Sequence, residues 1–211
     1  MKAKHLMSAC AIAIVASNAN AGIMFTVEDG GQLTSTQAGV TTVNFNDSTI
    51  GSYTEGAEND YQIYDTSIAG KSAQPYGISD EFLSVPNPQR NGKATFDVGG
   101  DYNYFGLYWG SVDTYNGIEF FLDGSSVGAF WGGDIEPPLK ADGNQGSYTS
   151  NRYVNFFFTE GDTFDSFTMT SNGYAFETDN HAYGNVSVPE PGSLALLSLG
   201  LAGLAYSRRK S

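Results

Sequence analysis

Apolar and polar residues alternate in short runs along most of this 211-residue chain. In the stretch "YFGLYWG", Phe105, Leu107 and Trp109 fall on one side of an extended backbone, and Tyr104 and Tyr108 fall on the other. A period of two residues is typical of β-strands, and the helical period of about 3.6 is absent over any long stretch. We therefore predict an all-β chain of about nine to eleven short strands.

Turn chemistry separates these runs at Asn116-Gly117, Asp123-Gly124, residues 160–162 and Asn172-Gly173. The stretch "KATFDVGG" predicts a short strand that ends at Gly99-Gly100. Residues 55–91 contain three prolines and are the least regular part, which predicts long loops over one end of the fold. No internal repeat and no second domain boundary are visible. We predict a single antiparallel β-sandwich, jelly-roll-like, over residues 22–187.

The N-terminal segment has the three parts of a secretory signal peptide. Lys2 and Lys4 form a positively charged start, residues 6–16 form an apolar run, and Ala19 and Ala21 form a small-x-small cleavage site. We predict that residues 1–21 form a signal helix that is recognised by the Sec translocon and removed. An ordinary buried helix is the alternative.

The C-terminal segment, "VPEPGSLALLSLGLAGLAYSRRKS" (residues 188–211), has three different parts in order. It begins with a hinge that can continue neither a strand nor a helix: Pro189, Glu190 and Pro191. Residues 194–206 are apolar or small and predict a short transmembrane helix, which at about 1.5 Å per residue spans about 20 Å of a bilayer core of about 30 Å. A basic cluster that stays on the cytoplasmic side follows: Arg208, Arg209 and Lys210.

This order of hinge, short apolar helix and basic cluster resembles the PEP-CTERM sorting signal of Gram-negative bacteria. The resemblance implies that exosortase, a membrane-embedded cysteine peptidase-like enzyme, cuts the chain near Pro189-Glu190-Pro191. It also implies an exported protein that is anchored transiently in the inner membrane and then reaches the cell envelope surface or the extracellular matrix. A plain single-span anchor is the alternative, and the shortness of the apolar run argues against it.

The body of the chain carries a second resemblance, to exosortase-dependent bacterial surface proteins. It covers roughly residues 94–186 and depends on "YFGLYWGSVDTYNGIEFF" (residues 104–121) and the later "VNFFF" and "GYAFETDNHAY". No catalytic activity is assigned to that group that could be transferred to residues of this chain. The resemblance therefore supports the destination and the fold, and implies no mechanism.

Charge and cysteine usage exclude several classes of function. Residues 22–188, the body of the chain, contain 22 of the 23 acidic residues and five of the 10 basic residues. The net charge of the body is therefore −17. Such a surface repels nucleic acid and anionic lipid, and it favours divalent cations and neutral or cation-bridged polymers. Simple solubility is the alternative reason for the acidity. Cys10, the one cysteine, is lost with the signal, which excludes thiol catalysis, cysteine-ligated zinc and iron–sulfur clusters.

The body offers little catalytic chemistry. His181 is its only histidine, and a lone histidine near the end of a strand is more often a surface or loop residue than a base. Glu119 and Asp123, four residues apart on one strand, would lie about 13 Å apart, which exceeds the usual separation of glycosidase carboxylates. We therefore predict no catalytic residue and no enzymatic activity, with a carboxylate-dependent glycan hydrolase as the least favoured alternative.

Two binding sites are predicted from residue types. Calcium takes six to eight oxygen ligands, and by analogy with jelly-roll carbohydrate-binding modules, a structural Ca²⁺ would join an early loop to the last strand through Asn46, Asp47, Glu55, Glu177 and Asp179. Simple solvation of these acids is the alternative. Sugar rings stack on aromatic side chains, and the predicted glycan contacts are Tyr104, Tyr108, Asp113, Tyr115 and Asn116. Burial of these aromatic residues in the core is the alternative to that site.

Three functions are compatible with the sequence. The leading one is a non-catalytic surface or exopolysaccharide-matrix protein that exosortase processes. The second is a calcium-assisted carbohydrate-binding module. The third is a secreted glycan hydrolase with an unrecognised carboxylate pair. Exosortase and the Sec translocon are the expected partners, together with exopolysaccharide.

Overall fold

The computed structural model describes residues 22–159 and 161–188. The strands in these residues are β1 (Ile23–Val27), β2 (Thr41–Val43), β3 (Thr54–Asn59), β4 (Gln62–Tyr64), β5 (Phe82–Val85), β6 (Gly92–Tyr102), β7 (Tyr104–Trp109), β8 (Asn116–Leu122), β9 (Ser125–Trp131), β10 (Arg152–Phe158), β11 (Phe164–Ser171) and β12 (Phe176–Gly184). Several predicted features lie outside the described residues: the signal helix with Ala19 and Ala21, the hinge Pro189-Glu190-Pro191, the transmembrane helix, and the basic residues Arg208, Arg209 and Lys210.

The strands form two antiparallel sheets. The first has seven strands in the order β1-β10-β7-β12-β5-β4, with β2 also paired to β12, and the second has five strands in the order β3-β6-β11-β8-β9. Consecutive strands such as β6 and β7, β7 and β8, or β10 and β11 belong to different sheets, as is usual in a jelly roll. The predicted class, an all-β antiparallel sandwich, is confirmed.

Aromatic side chains from both sheets fill the space between them. The ring centroid of Phe105 on β7 lies 4.6 Å from that of Phe167 on β11 and 5.5 Å from that of Phe120 on β8, so one side chain contacts two strands of the opposite sheet. Leu107 and Trp109 follow Phe105 into this core and are fully buried, as the alternation predicts. Burial of each such side chain stabilises the fold by about 1.5–3 kcal/mol.

The local turn predictions have mixed outcomes. Asp123-Gly124 forms the turn between β8 and β9, with φ of 50° and 74° at its two residues. The prediction of a turn at Asn116-Gly117 is wrong, because both residues begin β8. The buried side chain of Asn116 donates a hydrogen bond to the carbonyl of Ala175 and accepts one from the hydroxyl of Ser171, and these bonds fix it in the sheet. The chain turns earlier, in residues 110–115.

Two other predicted boundaries are also corrected. Residues 55–91, predicted as loops, contain most of β3 and all of β4 and β5, and β5 is completely buried beside β12. The strand predicted to end at Gly99-Gly100 continues to Tyr102 as β6. Gly99 has a φ of 77°, which L-residues rarely adopt, and the ladder with β11 shifts register near this position.

The outer face of the seven-stranded sheet is covered by connecting segments. Tyr108 and Tyr153 pack there against Ile78, from the connection between β4 and β5, and against Leu33, from the connection between β1 and β2. Further along the sheet, Tyr104 and Phe157 pack with Ala182, Val40, Val186 and Val188. The central strands β7, β10 and β12 are therefore buried on both faces.

The residues after β12 close this outer layer. The amide of Asn103 exchanges two hydrogen bonds with the backbone of Val186, at 2.8 and 3.0 Å. The backbone N–H of Asn103 also donates to the side-chain oxygen of Asn185 at 3.1 Å. Val186 and Val188 contribute apolar contacts to the cluster of Tyr104. The ordered contacts of the body thus extend to Val188, the last residue before the hinge sequence.

Candidate functional site

A cleft of about 490 Å³ lies where several connections meet. One wall is formed by residues 67–73, which belong to the connection between β4 and β5. The remaining lining residues are Arg90 from the connection after β5, Gln145 from the connection after β9, Tyr174 from the connection before β12, and Glu177 on β12. Its volume falls within the range of about 300–1,000 Å³ that is typical of small-molecule sites.

Asn151 holds three of the connections around this cleft in place. Its side-chain oxygen accepts hydrogen bonds from the backbone N–H groups of Tyr76, at 3.0 Å, and Ser111, at 2.8 Å. Its amide nitrogen donates to the carbonyls of Asn144, at 2.7 Å, and Ser147, at 2.9 Å. The side chain is fully buried and its hydrogen-bonding capacity is filled. Nothing in the sequence around Asn151 distinguishes it from the other asparagines, so sequence reasoning missed this residue.

Glu177 is the floor of the cleft and is almost completely buried. Its Oε1 atom accepts a hydrogen bond from the backbone N–H of Ala73 at 2.7 Å, and its Oε2 atom accepts one from the hydroxyl of Ser111 at 3.2 Å. Burial nevertheless raises the pKa of Glu177 to about 8, and the two hydrogen bonds offset only part of this effect. At neutral pH the group is therefore mainly an uncharged carboxyl that can donate a hydrogen bond.

Two of the three tyrosines predicted to contact glycan, Tyr104 and Tyr108, are not exposed, and the prediction that these two contact glycan is wrong. Tyr104 and Tyr108 do lie on the face of β7 opposite the core, but both have no exposed surface. The hydroxyl of Tyr104 donates to the side-chain oxygen of Asn155 at 2.7 Å, and that of Tyr108 donates to the carbonyl of Tyr76 at 2.5 Å. These aromatic rings hold the covering segments on the sheet, and no sugar can stack on them in this conformation.

The other three predicted glycan contacts lie near the cleft. Asn116 is fully buried, so the prediction that it contacts glycan is also wrong. Tyr115 is half-buried, and its hydroxyl donates to the carbonyl of Tyr174, a residue of the cleft wall, at 3.1 Å. Asp113 is half-buried, and its burial raises its pKa above the ordinary value. Tyr115 thus supports Tyr174 in the wall of the cleft, and direct contact of Asp113 and Tyr115 with a glycan stays a prediction.

The residues predicted to bind calcium are not brought together. Asn46 and Asp47 lie in a short turn after β2, in which Asp47 has a φ of 65°, and Glu55 on β3 accepts a hydrogen bond from the hydroxyl of Tyr61. Glu177 and Asp179 are buried instead on β12. Within residues 22–159 and 161–188, no group of three or more His, Cys, Asp or Glu side chains has a metal-binding arrangement. Calcium binding stays a prediction that these positions do not support as one ligand set.

Asp179 lies two residues beyond Glu177 on β12 and is also fully buried. Its Oδ2 atom accepts a hydrogen bond from the amide of Asn180 at 3.1 Å, while its Oδ1 atom has no partner among the described residues. Burial raises the pKa of Asp179 to about 8. β12 therefore holds two carboxyl groups that are mainly uncharged at neutral pH.

His181 is a core residue, so the prediction that it lies on the surface or in a loop is wrong. Its ring is fully buried among Phe45, Tyr53, Phe105 and Phe167, and its Nε2 atom lies 2.8 Å from the hydroxyl of Thr178. Burial lowers the pKa of His181 to about 3, which keeps the ring neutral. The ring reaches no solvent and is therefore badly placed to act as a catalytic base.

The stretch "GSSVG" (residues 124–128) has the spacing of a hydrolase nucleophile elbow, Gly-x-Ser-x-Gly. It lies in the turn before β9 and in the first residues of that edge strand, rather than at the strand-to-helix turn that presents a nucleophile. The motif therefore lacks the structural context of a catalytic serine.

Two large aromatic side chains are exposed in the described part of the chain: Tyr76, with 41% of its surface accessible, and Trp131, with 39%. Tyr76 packs edge-on against Tyr148 at a centroid distance of 4.8 Å. Trp131 lies against Gly117, its partner across the β8–β9 ladder. Neither residue belongs to the predicted glycan contacts.

Comparison with known proteins identifies the C-terminal segment. Residues 187–210 match the family described as the PEP-CTERM protein-sorting motif. This motif marks the chain as an exported protein that exosortase processes and that carries a membrane-anchor motif at its C-terminus before processing. The predicted sorting signal is thereby confirmed. In residues 22–159 and 161–188, no helix has the length and apolar character needed to span a membrane.

The body has no comparable match. No curated protein matches the chain. One solved structure, CpGH89CBM32-6 produced by Clostridium perfringens, is similar at 12% sequence identity and a TM-score of 0.30, covering 60% of this chain and 94% of that one. A similarity at this level supports no conclusion about the body.

Proposed function

We propose that this chain is a non-catalytic protein of the cell surface or exopolysaccharide matrix of a Gram-negative bacterium, delivered there by exosortase processing. One observation carries the proposal: the sorting motif at residues 187–210 begins where the contacts of the described residues reach their last positions, Val186 and Val188. The last described contacts are those of Val186 and Val188, and the hinge follows at once. A cut near Pro189-Glu190-Pro191 therefore leaves the contacts of the described body intact.

In this proposal the signal peptide, residues 1–21, directs the chain through the Sec translocon. The short apolar segment then keeps the body at the outer side of the inner membrane until exosortase cuts it. The body that is released depends on its aromatic core and not on disulfides, since Cys10 leaves with the signal. Such a domain needs no oxidising machinery to mature outside the cytoplasm.

The experiment that tests delivery compares cells with and without active exosortase. We expect a shorter mature chain in the surface or matrix fraction of cells with exosortase, and an uncut chain in the inner membrane of cells without it. A Pro189→Ala/Pro191→Ala variant should behave in exosortase-positive cells as the native chain does without the enzyme. Equal release of the body in all three cases would overturn the proposal.

A separate assay tests the non-catalytic part of the proposal. The protein is incubated with matrix polysaccharide from the same cells, and new reducing ends are measured over time. We expect none above a heat-inactivated sample. Turnover that Glu177→Gln abolishes would instead support the glycan hydrolase, because Glu177 is a buried carboxyl with a raised pKa at the floor of a cleft.

Carbohydrate binding is the second candidate function, and the cleft over Glu177 is the observation that favours it. Its lining of hydroxyl, amide, carboxyl and guanidinium groups is suited to a polar ligand. Calcium assistance, as the sequence predicts, is tested by repeating any binding measurement with a chelator.

A further inference from the structure

The body has few basic residues, and two of them are engaged in side-chain contacts with other parts of the chain. Of the five in residues 22–188, Lys93 forms an ion pair of 2.9 Å with Glu58, and Arg152 donates hydrogen bonds to the carbonyls of Tyr148 and Glu28. Two of the others, Lys71 and Arg90, line the same cleft. Neither one forms an ion pair with an acidic side chain in residues 22–159 or 161–188.

This placement runs against the charge of the rest of the molecule. The body has a net charge of −17, yet two of its five basic side chains line one cleft. They come from different connections, Lys71 from the one before β5 and Arg90 from the one after it. Both are exposed, and both can therefore reach a ligand in the cleft.

The other cleft residues add neutral hydrogen-bonding groups. Tyr174 is held by its own hydroxyl, which donates to the carbonyl of Pro88 at 2.8 Å, so its ring forms a fixed part of the wall. Gln145 adds an amide at the rim. Glu177 adds no full negative charge to the floor at neutral pH, because its burial raises its pKa to about 8. The cleft is therefore locally basic inside an acidic protein.

We propose that this cleft binds an acidic sugar unit of an extracellular polysaccharide, with Lys71 and Arg90 contacting its acid group and Gln145, Tyr174 and Glu177 contacting its hydroxyl groups. The inference rests on the proposed function, because it names the class of matrix polymer that would retain the protein. The recognised chemistry is an anionic group on a pyranose ring, and either a carboxylate or a sulfate supplies it. Arginine suits both, since its guanidinium group can make two parallel hydrogen bonds to either oxyanion.

The test uses calorimetry with the purified full chain in a neutral detergent at pH 7, low salt and excess chelator. The probes are tetragalacturonate, a sulfated carrageenan tetrasaccharide and neutral cellotetraose. We expect saturable binding of at least one acidic probe, weakening as salt is added, and no binding of cellotetraose. The stronger of the two acidic probes identifies the acid group. The chelator removes any cation that could bridge the sugar to acidic side chains.

Three variants locate the site. Arg90→Gln and Lys71→Gln should each weaken binding of the acidic probe about tenfold, as expected for loss of one charge-assisted contact. Lys140→Gln is the matched control, because Lys140 is an exposed lysine outside the lining of the cleft. It should leave affinity within about twofold. Thermal unfolding of each variant checks that the fold is retained.

Several results would overturn the inference. They are no binding of either acidic probe, equal binding of cellotetraose, or an equal loss of affinity in Lys140→Gln. Binding that appears only when calcium replaces the chelator would also overturn it and would support the calcium prediction instead. None of these results bears on the proposed surface location, which depends on the fractionation of exosortase-positive and exosortase-negative cells.

Discussion

The Oε1 atom of Glu177 accepts a hydrogen bond of 2.7 Å from the backbone N–H of Ala73, which lies 104 positions earlier in the chain. This bond attaches the long connection between β4 and β5 to the outer face of β12. It does so with a carboxyl group that is almost completely buried. The stability of this end of the sandwich therefore depends on the protonation of Glu177.

The first prediction concerns stability at alkaline pH. The pKa of Glu177 rises from 4.5 to about 8 on folding, so between these values the folded state holds a proton that the unfolded state has lost. The free energy of unfolding therefore falls as pH rises from about 4.5 to about 8 and levels off above. Relative to Glu177→Gln, the native protein should lose up to about 4 kcal/mol between pH 5 and pH 9, measured by urea unfolding.

A control for this prediction is Glu136→Gln, at an exposed position. The unfolding free energy of Glu136→Gln should change with pH in the same way as that of the native protein. Asp179→Asn should resemble Glu177→Gln, since burial raises the pKa of Asp179 to about 8 as well. If Glu177→Gln and the native protein gave parallel curves from pH 5 to pH 9, Glu177 would not be protonated in the folded state.

The second prediction concerns acid. Burial lowers the pKa of His181 from 6.5 to about 3, so the folded state holds fewer protons than the unfolded state between these values. This contribution to stability is complete above about pH 6.5 and is lost as pH falls towards 3. The unfolding free energy of the native protein minus that of His181→Phe should therefore rise by about 1.4 kcal/mol per pH unit between about pH 3 and pH 6.5. Thr178→Val is the control, because it removes the hydrogen bond to His181 but keeps the titrating ring.

The third prediction concerns the core. Phe105 contacts Phe120 and Phe167 of the opposite sheet, so Phe105→Ala leaves a cavity between the sheets. The expected loss is about 3–5 kcal/mol of unfolding free energy, measured in denaturant. Phe105→Leu should cost clearly less, since it keeps most of the volume. Similar losses of unfolding free energy in the two variants would show that the surrounding core collapses into the cavity that Phe105→Ala leaves.

The fourth prediction concerns the exposed indole of Trp131. A Cβ atom at position 117 would lie 2.8 Å from a ring carbon of Trp131, which is closer than such contacts normally are. Gly117→Ala should therefore destabilise the protein by about 1 kcal/mol and increase quenching of tryptophan fluorescence by acrylamide. In a Trp131→Ala background the same substitution should cost little. An equal cost in both backgrounds would assign the effect to the backbone of β8.

The fifth prediction concerns the end of the body. A chain that ends at Val188 should be as stable as the full chain, whereas a chain that ends at Gly184 loses the hydrogen bonds between Asn103 and residues 185–186. At about 1 kcal/mol for each bond, the second truncation should cost about 3 kcal/mol. The mass of the exosortase product should accordingly place the cut after Val188. A mature chain that ends before Asn185 would contradict this prediction.

Local pattern predicts the strands well where one strand follows another closely. The alternation of apolar and polar residues, with the Asp123-Gly124 turn, predicts β7, β8 and β9. It also assigns the core face of β7 correctly. Asn116-Gly117 has an equally good turn sequence, yet it lies in β8. There, the hydrogen bonds that Asn116 makes with Ser171 and Ala175 outweigh the local preference, and sequence spacing does not reveal them.

The sequence does not reveal that the outer face of the seven-stranded sheet is also buried. Alternation shows that Tyr104 and Tyr108 lie opposite the core, but segments far away in the chain cover them. The same covering encloses Glu177, an acid that single-residue reasoning places in solvent. Lys71 and Arg90 meet at one cleft only because β5 brings both of its flanking connections to the same place. Such juxtapositions arise from topology and leave no periodic signal in the sequence.

The position of β12 has a mechanical consequence. β12 is an interior strand, bonded to β7 on one side and to β5 and β2 on the other, and the sorting tail leaves the body just beyond it. Tension transmitted through the tail therefore acts along a strand that is held by ladders on both sides. Such a load must shear the ladders on both sides of β12 together, whereas the same load along an edge strand would shear the ladder on one side only. While the chain is still tethered, drag on the body is borne by the middle of the sheet.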